Sequence, residues 1–300
     1  RINDVPIIGK IFEETIEDTE LIIDLKNPEY VSDVENDLLM YNLLKKGENG
    51  SCSYIGDGLV KYVPNPGFPI GHDDGFDTCT FKVNDGYEDS IEGIINIVVR
   101  PINDIPILAT INGPIYFKED TISNPISVSA TDEDQDELTF LCQQVNIDNF
   151  SPNIFCDVDG DNITFYAAKH FNGTEFVNIS VDDGWKGVDN QKVMIIVEQV
   201  FDPPKFIDLV PFEMNEEDST SFTVNASDPD VDDQLTFSCS SLKSDTYCQI
   251  DDNFLENLDG TFSANFTITA SENFYGFTQI ELIVDDGHND RFSVRDTIEL

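Results

Sequence analysis

Apolar and polar residues alternate along most of the chain in short runs of four to eight positions. In Phe176–Val181 the valines and the isoleucine fall on one face and Asn178 on the other, and Ser221–Ala226 and Phe262–Ile268 alternate in the same way. Because successive side chains of a strand point to opposite faces, this pattern is typical of half-buried β-strands. Gly, Pro, Asn and Asp separate the runs, as turns require. We therefore expect an all-β protein.

Residues 104–201 contain enough alternating runs for a complete sandwich. Seven strands in about a hundred residues are typical of a Greek-key sandwich of the cadherin/Ig-like kind. The predicted strands are Ile105–Ile111, Ile126–Ala130, Leu138–Gln143, Ile154–Val158, Asn162–Ala168, Phe176–Val181 and Gln191–Val200.

A short linker sequence recurs and divides the chain. I-N-D-V-P at Ile2–Pro6 returns as I-N-D-I-P at Ile102–Pro106 and, weakened, as F-D-P-P at Phe201–Pro204. Such self-similarity is the signature of tandem repeats. We predict three domains, at residues 1–103, 104–201 and 202–300. Since Pro fixes φ and keeps its predecessor extended, the linkers should hold the three sandwiches end to end as a rod.

One segment also fits a different pattern. Glu29–Lys46 has apolar residues at helical spacing, followed by lysines and Gly47, which favours a helix with a C-terminal stop. The register of the repeats favours a loop followed by a strand instead. Both alternatives stay open at the level of sequence, and we prefer the loop and strand.

Net charge limits the classes of partner. Sixteen Lys and Arg oppose 59 Asp and Glu, which gives a formal charge of −43. Nucleic acid is excluded as a partner because phosphate binding needs a basic surface. Disorder is not expected, since 40% of the residues are hydrophobic and 22 are Phe. No apolar run is long enough for membrane insertion by this segment. The chain starts without Met and ends within a predicted strand, so we expect a segment of a longer, processed protein.

The six cysteines fall two to each predicted repeat. Fifteen pairings are possible, and free buried thiols are the alternative, but locality favours one set of disulfides. The three His (His72, His170 and His288) do not group with them, so zinc is not expected. The favoured pairs are Cys52–Cys79, Cys142–Cys156 and Cys239–Cys248.

Several N-x-S/T sequons place Asn on the outward face of a predicted strand, where a glycan leaves the core undisturbed. Together with paired cysteines they indicate the secretory pathway and an extracellular or cell-surface location, with N-linked glycans. The sequons are at Asn49, Asn149, Asn162, Asn172, Asn178, Asn225 and Asn265.

Alternating carboxylates precede one strand in each repeat. A-T-D-E-D-Q-D-E-L-T-F at Ala130–Phe140 returns at Ser227–Phe237, and a degraded copy lies at Ser32–Tyr41. Carboxylates gathered in a loop repel one another unless a cation neutralises them, and hard oxygen ligands suit Ca²⁺. A solvated acidic turn is the alternative. Recurrence at a fixed place in the repeat favours the calcium site.

These motifs together resemble the cadherin-like tandem repeat of extracellular adhesins and matrix proteins. A-T-D-E-D with L-T-F at Ala130–Phe140, V-D-D-G at Val181–Gly184 and I-N-D-I-P at Ile102–Pro106 match its order. The resemblance covers the second and third repeats well and the first poorly.

The resemblance implies calcium ligands where one repeat meets the next. At the first boundary the implied ligands are Glu13 or Glu17 and Asp18, then Asn103, Asp104, Asp132, Asp134 and Asp136. At the second they are Glu119, Asp120, Asp202, Asp228, Asp230 and Asp232. A further set at the start of the chain is Asn3, Asp4, Asp33, Glu35 and Asp37.

The chain departs from the family at three places. Pro101 stands where the longer linker has its first Asp, Phe201 replaces Asn in the second linker, and Ala167–His170 replaces an Asp-Arg-Glu triplet. Each change removes an oxygen ligand, so we expect fewer calcium ions than in adhesion cadherins. The second boundary should hold the fewest.

The sequence favours a structural or adhesive segment of a rod- or fibre-forming glycoprotein. Its expected partners are further repeats of the same chain and assemblies at the cell surface or in a matrix. A receptor- or carbohydrate-binding module is the alternative, with Trp185 as its lone aromatic, although packing explains such a Trp more often. No enzyme is expected, because Asp182-Asp183 and Asp285-Asp286 are ordinary turn residues before Gly and no nucleophile lies beside a base.

Overall fold

A computed structural model describes residues 3–145, 152–210, 213–215, 218–230, 233–244, 246–251, 255–257, 260–274, 276, 278–288 and 294–299. Every element of regular structure among these residues is a β-strand, and none is a helix. The all-β class is therefore confirmed. No described segment forms an apolar helix of the length that a membrane crossing requires.

The strands of residues 7–100 form two main sheets and a short pair. One sheet has the order β2-β9-β8-β5, the other the order β3-β7-β6, and β1 pairs with β4. β2 runs parallel to β9, with Ile11 opposite Ile95, while the other pairs are antiparallel. The strands are β1 (Ile7–Ile8), β2 (Ile11–Ile16), β3 (Leu21–Asp24), β4 (Val31–Ser32), β5 (Met40–Lys45), β6 (Gly50–Gly56), β7 (Leu59–Pro64), β8 (Gly75–Asn84) and β9 (Gly93–Arg100).

The core of this part lies between its two main sheets. Alternate residues of β8 and β9 are buried, as the period of two requires. Tyr62 and Phe81 are among the largest fully buried side chains. Each such side chain contributes about 1.5–3 kcal/mol through burial.

The preferred reading of Glu29–Lys46 as loop plus strand is confirmed. β4 pairs with β1 and β5 pairs with β8, and residues 29–46 contain no helix. Leu39, Tyr41 and Leu43 pack against the core at alternate positions. Sheet pairing therefore decides the conformation that the sequence left open.

Residues 107–198 repeat this arrangement. The sheet orders are β11-β18-β17-β14 and β12-β16-β15, with β10 paired to β13. The strands are β10 (Ile107–Leu108), β11 (Ile115–Lys118), β12 (Ile126–Ser127), β13 (Ala130–Thr131), β14 (Thr139–Gln144), β15 (Ile154–Asp159), β16 (Asn162–Ala167), β17 (Gly173–Asp182) and β18 (Val188–Glu198).

Two of the strands predicted here differ in the structure. The run Ile105–Ile111 is ordered as a strand only at Ile107–Leu108, and the separate strand β11 follows Pro114, which the sequence had not indicated. Pro has no N–H donor and interrupts the ladder. The run Ile126–Ala130 is divided between β12 and β13 because the chain changes its pairing from β16 to β10.

The remaining strands form a sheet of the order β19-β20-β24-β22, with β23 also on β24, and a sheet of the order β21-β25-β26. Their shared core contains Val224, Phe237, Phe266 and Leu282. The strands are β19 (Lys205–Ile207), β20 (Ser219–Ser227), β21 (Thr236–Ser241), β22 (Thr246–Ile250), β23 (Leu255–Glu256), β24 (Thr261–Ala270), β25 (Gln279–Asp285) and β26 (Val294–Glu299).

All three predicted disulfides are present. They join Cys52 to Cys79, Cys142 to Cys156 and Cys239 to Cys248. No cysteine among the described residues is free. The first disulfide is buried in its core, whereas Cys239 and Cys248 lie at the margin of theirs.

The chain divides into two compact units. Unit 1 comprises Arg1–Ile115, Asn124–Phe165 and Glu175–Ile195, and unit 2 comprises Tyr116–Ser123, Tyr166–Thr174 and Ile196–Leu300. The three-domain division at residues 103 and 201 stays a prediction. Each group of acidic residues described below lies within one unit.

Candidate metal centres

A hydrogen bond from each linker to the acidic loop that follows it recurs along the chain. In every case the main-chain N–H of the linker Asp donates to a carboxylate at the middle of the loop. The pairs are Asp4 N to Glu35 Oε2 at 3.3 Å, Asp104 N to Asp134 Oδ2 at 2.8 Å and Asp202 N to Asp230 Oδ2 at 2.8 Å. The acidic loops are thus held at the linkers, where the sequence placed them.

The first acid cluster lies in unit 1 and gathers the residues expected at the first boundary. It consists of Glu17, Asn103, Asp104, Asp132, Asp134, Asp136 and Asp183. Single oxygens of Glu17, Asp104 and Asp134 lie within 4.8 Å of one another, and so do oxygens of Asp132, Asp136 and Asp183. Two oxygens on opposite sides of one Ca²⁺ ion are about 4.6–5.2 Å apart, so both groups have suitable spacing.

Glu17 belongs to this cluster and Glu13 does not. Oε1 of Glu17 accepts a hydrogen bond from Ile102 N–H, and Oε2 is buried with no hydrogen-bond partner among the described residues. Glu13 instead accepts a hydrogen bond from the hydroxyl of Tyr30. Burial, with further contributions from Asp104 and Asp134, raises the pKa of Glu17. Of the two alternatives that the sequence left open, the structure places Glu17 in the cluster, and its role as a ligand stays a prediction.

Two further oxygens of the first acid cluster are buried without a partner among the described residues. They are Asn103 Oδ1 and Asp132 Oδ2. Burial raises the pKa of Asp104, and the neighbouring carboxylates of Asp134, Asp18 and Asp132 raise it further. Buried unpaired oxygens are rare because each one costs desolvation energy. A cation at this place would satisfy them.

Asp183 lies in the first acid cluster although its sequence context indicates only a turn. Its Oδ1 accepts hydrogen bonds from Trp185 N at 2.6 Å and Gly187 N at 2.9 Å, as a turn requires. Its Oδ2 accepts from Asn103 Nδ2 at 2.8 Å. Burial acts to raise the pKa of Asp183, but these donors hold it below its ordinary value. The residue therefore serves the turn and the cluster together.

A smaller copy of this arrangement lies at the start of the chain. Asn3 Nδ2 donates to Asp85 Oδ2 at 2.9 Å, as Asn103 does to Asp183. Asp37 N donates to Asp33 Oδ1 at 2.9 Å, and Asp33 Oδ2 is buried without a partner among the described residues. Within the set predicted for this end, Asp4 thus contacts Glu35, Asp37 contacts Asp33, and Asn3 contacts Asp85, a residue that the sequence had not indicated.

The second acid cluster lies in unit 2. Its expected members are Glu119, Asp120, Asp202, Asp228 and Asp230, and it also contains His170, Asp233, Asp286 and His288. Glu119 Oε1 accepts a hydrogen bond from Val200 N at 2.7 Å, as Glu17 does from Ile102. Asp232 lies outside the described residues, as does the sequon at Asn149.

Asp233 takes the place that Asp136 has in the first acid cluster. Both residues stand two positions before the Leu of an L-T-F sequence, which is the signal that identifies Asp233. Asp228 Oδ2 is buried with no partner among the described residues. Burial raises the pKa of Asp228 to about 6, and the carboxylates of Asp233, Asp230 and Asp286 contribute.

Each of the three histidines contacts an acid cluster, although they are far apart in sequence. His72 Nε2 lies 2.9 Å from Asp136 Oδ1, and His170 Nδ1 lies 3.1 Å from both Asp120 Oδ2 and Asp202 Oδ2. His72 and His170 are 98 residues apart, the same interval as Asp104 and Asp202, and each stands three positions before the Gly that starts a strand. That interval is the signal by which the repeat places an imidazole beside the carboxylates.

A sequence profile of the bacterial Ig domain matches residues 3–98 and 103–196, more than half of the chain. The chain belongs to the bacterial Ig domain family. The match is in tandem, which confirms the resemblance to divergent cadherin/Ig-like repeats. No curated protein sequence matches the chain significantly.

Solved structures with low identity are similar to this chain over most of its length. Repeats EC22-24 of mouse cadherin-23 are 16% identical, with a TM-score of 0.48, over 100% of this chain and 98% of that chain. The human desmocollin-1 ectodomain is 12% identical, with a TM-score of 0.43, over 98% of this chain and 60% of that chain. An endo-fucoidan hydrolase of glycoside hydrolase family 107 is 13% identical, with a TM-score of 0.30, over 99% of this chain and 44% of that chain. The chain thus spans less than two thirds of the last two.

Trp185 lies against the imidazole of His72 on this bacterial Ig chain. The ring centroids are 3.9 Å apart, while 56% of Trp185 remains exposed. The contact agrees with packing between residues of different repeats. The exposed part of the ring is the feature that supports a role in carbohydrate binding.

The sequons of this bacterial Ig chain face outwards to different degrees. Asn162, Asn172 and Asn265 are exposed, whereas Asn49, Asn178 and Asn225 are half-buried. Asn225 Oδ1 accepts a hydrogen bond from Ser263 Oγ at 2.8 Å. Glycosylation at these positions stays a prediction.

Proposed function

We propose that this bacterial Ig chain is an extracellular structural or adhesive repeat segment of a longer glycoprotein, and that its first acid cluster binds Ca²⁺. The observation that supports calcium is the set of three buried oxygens, on Glu17, Asn103 and Asp132, that have no partner in the part of the chain that the structure describes. They belong to carboxylate and amide groups, which are hard donors. The two oxygen groups of the cluster also have the spacing that Ca²⁺ coordination needs.

Calcium would link segments that are remote in sequence. Glu17 follows β2, Asp104 lies in the linker, and Asp134 lies in the loop after β13. An ion held by all three would fix the linker to both flanking sandwiches and would neutralise their mutual repulsion, which is worth about 1 kcal/mol or more for each close pair. We expect a dissociation constant in the extracellular range of about 10⁻⁴–10⁻³ M, because the linker ligands are incomplete.

The test is a calorimetric titration of chelated protein with CaCl₂, together with thermal unfolding. Calcium should bind and raise the Tm. Asp104→Ala, Asp134→Ala and Glu17→Gln should each weaken binding at least about tenfold. Glu13→Gln is the matched control, since it removes a charge four positions away and outside the cluster. No uptake at millimolar calcium, or equal loss in the control, would contradict the proposal.

Self-association and N-glycosylation belong to the same proposal. A heterologous contact between identical repeats propagates without closing, which suits fibres or surface coats. Electron microscopy of the intact source protein tests assembly, and only dispersed monomers at high concentration would count against it. Treatment of the secreted protein with an amidase specific for N-glycans tests the sequons, and an unchanged mass would contradict their use.

A carbohydrate-binding module is the second candidate, supported by the exposed face of Trp185. Specific binding on a glycan array that Trp185→Ala abolishes would favour it over a structural role. Catalysis is not part of our proposal, because the turn donors of Asp183 occupy the carboxylate that an acid–base role would need free. Hydrolysis of any polysaccharide that is lost in Asp183→Asn would contradict this view.

A further inference from the structure

The Asp of each D-G turn has one carboxylate oxygen bound to the turn and one directed elsewhere. In two repeats the second oxygen accepts a hydrogen bond from a linker amide, Asn3 to Asp85 at 2.9 Å and Asn103 to Asp183 at 2.8 Å. In the third, Asp286 Oδ1 accepts from His288 N at 2.8 Å, but Oδ2 has no partner among the described residues. The side chain of Asp286 is 0% exposed. This oxygen is therefore buried and unsatisfied at a place where its two counterparts are bonded.

The missing donor is explained by the second linker. Phe201 occupies the position of Asn3 and Asn103 and has no polar group to offer. Its ring stacks on the imidazole of His288, with centroids 3.9 Å apart and planes inclined by 25°. The exchange of Asn for Phe therefore removes an amide and fixes an imidazole beside the same carboxylate.

The imidazole faces further carboxylates. His288 Nδ1 lies 3.3 Å from Asp233 Oδ2 and 3.9 Å from Asp286 Oδ1. Ligand atoms of Asp233, Asp286 and His288 lie within 4.8 Å of one another, and Asp228 Oδ2 is buried nearby without a partner among the described residues. A protonated imidazole supplies one positive charge to three carboxylates. A divalent cation supplies two positive charges and so neutralises more of the negative charge of these carboxylates.

We propose that Asp233, Asp286 and His288 bind a divalent transition-metal ion of the Zn²⁺ class. A mixed set of imidazole nitrogen and carboxylate oxygens suits such ions, whereas Ca²⁺ selects oxygen donors alone. Two donors bonded to one Zn²⁺ at about 2.0–2.2 Å are at most about 4.4 Å apart, and the 3.3 and 3.9 Å separations satisfy this limit. The site lies in the second acid cluster and does not depend on calcium binding by the first.

The experiment uses the untagged full chain in a His72→Gln, His170→Gln background, where His288 is the only remaining histidine. Chelated protein is titrated with ZnCl₂ by calorimetry and with CoCl₂ by visible absorption, and ¹⁵N spectra follow the imidazole of His288. We expect one ion per chain and a shift of the His288 signals. Absence of binding, or binding that leaves the His288 signals unmoved, would overturn the proposal.

Two variants in this background separate a ligand role from a structural one. His288→Gln should weaken Zn²⁺ binding at least about tenfold while leaving the calcium titration unchanged. Phe201→Asn should also weaken Zn²⁺ binding, because the new amide is placed to satisfy Asp286 Oδ2 as Asn103 satisfies Asp183. Circular dichroism confirms folding in each case. Undiminished Zn²⁺ affinity in either folded variant would contradict the site. If His288→Gln loses zinc binding and keeps calcium binding, the result supports the zinc site and shows that it is separate from the calcium site of the first acid cluster.

Discussion

Single residues decide which chemistry each boundary offers. Asn103 contributes an amide oxygen to the buried carboxylates of the first acid cluster. Phe201 instead stacks on an imidazole in the second, beside a carboxylate oxygen that has no partner among the described residues. The linker Asp makes the same main-chain hydrogen bond in both. A one-residue difference in the linker thus changes the donor set while the backbone arrangement is retained.

A buried Tyr–Asp pair gives a prediction for alkaline pH. Tyr62 donates to Asp77 Oδ2 at 3.1 Å, and burial, assisted by that carboxylate, raises the pKa of Tyr62 well above its ordinary value. The folded protein keeps this proton while the unfolded chain releases it near pH 10, so stability should fall as pH rises above about 10. Tyr62→Phe should remove that component of the fall. At neutral pH the Tyr62→Phe substitution should cost roughly 1.5–3 kcal/mol, the value of a hydrogen bond to a charged group.

The measurement is urea unfolding at pH 8 and at several values above 10. Tyr87→Phe is the control, because Tyr87 is 75% exposed. Equal alkaline slopes in the wild type and in Tyr62→Phe would show that another group dominates the titration.

At the scale of elements, the disulfides should differ in their contributions. The Cys52–Cys79 bond closes 27 residues and the Cys239–Cys248 bond closes 9. Loop-closure entropy assigns about 3.6 kcal/mol to the first and about 2.6 kcal/mol to the second. The first pair is also fully buried, so its replacement by Ala leaves a cavity.

Double Ala variants at each pair check this order. Chemical denaturation gives the free energy of unfolding for the transition of the part that contains the pair. A larger loss of unfolding free energy on removal of the Cys239–Cys248 bond would contradict this order. The reduced wild type provides the reference for both.

The strands could be predicted because alternation and turn residues report burial directly, and β17, β20 and β24 bury the residues that alternation selects. β11 could not be predicted, because Pro114 interrupts the pattern just before it and only the sheet pairing shows that a strand follows. The site was predictable in part. Repetition located the acidic loops and linkers, but Asp183 and Asp286 stand in D-G sequences that any turn would use. The histidines contact carboxylates through tertiary packing, which spacing within one repeat does not reveal.

At the scale of the whole molecule, net charge should control the stability of the metal-free protein. A formal charge of −43 destabilises the compact state by self-repulsion. Salt screens exposed charges, with a Debye length of about 10 Å at 0.1 M. The Tm of chelated protein should therefore rise with NaCl up to about 0.15 M, and less so when Ca²⁺ is present. A Tm that is independent of salt in the chelator would contradict this prediction.

The end-to-end arrangement inferred from the short Asp-Pro linkers stays a prediction, and small-angle scattering checks it. A compact globule of 300 residues has a radius of gyration of about 19 Å. The linkers predict a clearly larger value, since three sandwiches in line extend beyond one globule. A measured value near that of the globule would contradict the rod.

The linker hydrogen bonds also bear on how such an array grows. Each acid cluster takes its residues from one repeat, the linker and the loop of the next, as the first does with Glu17, Asp104 and Asp134. A duplicated repeat therefore brings half of a cluster at each of its ends. When it is inserted between two existing repeats, both halves meet complements, and the gene lengthens without leaving an incomplete site inside the array.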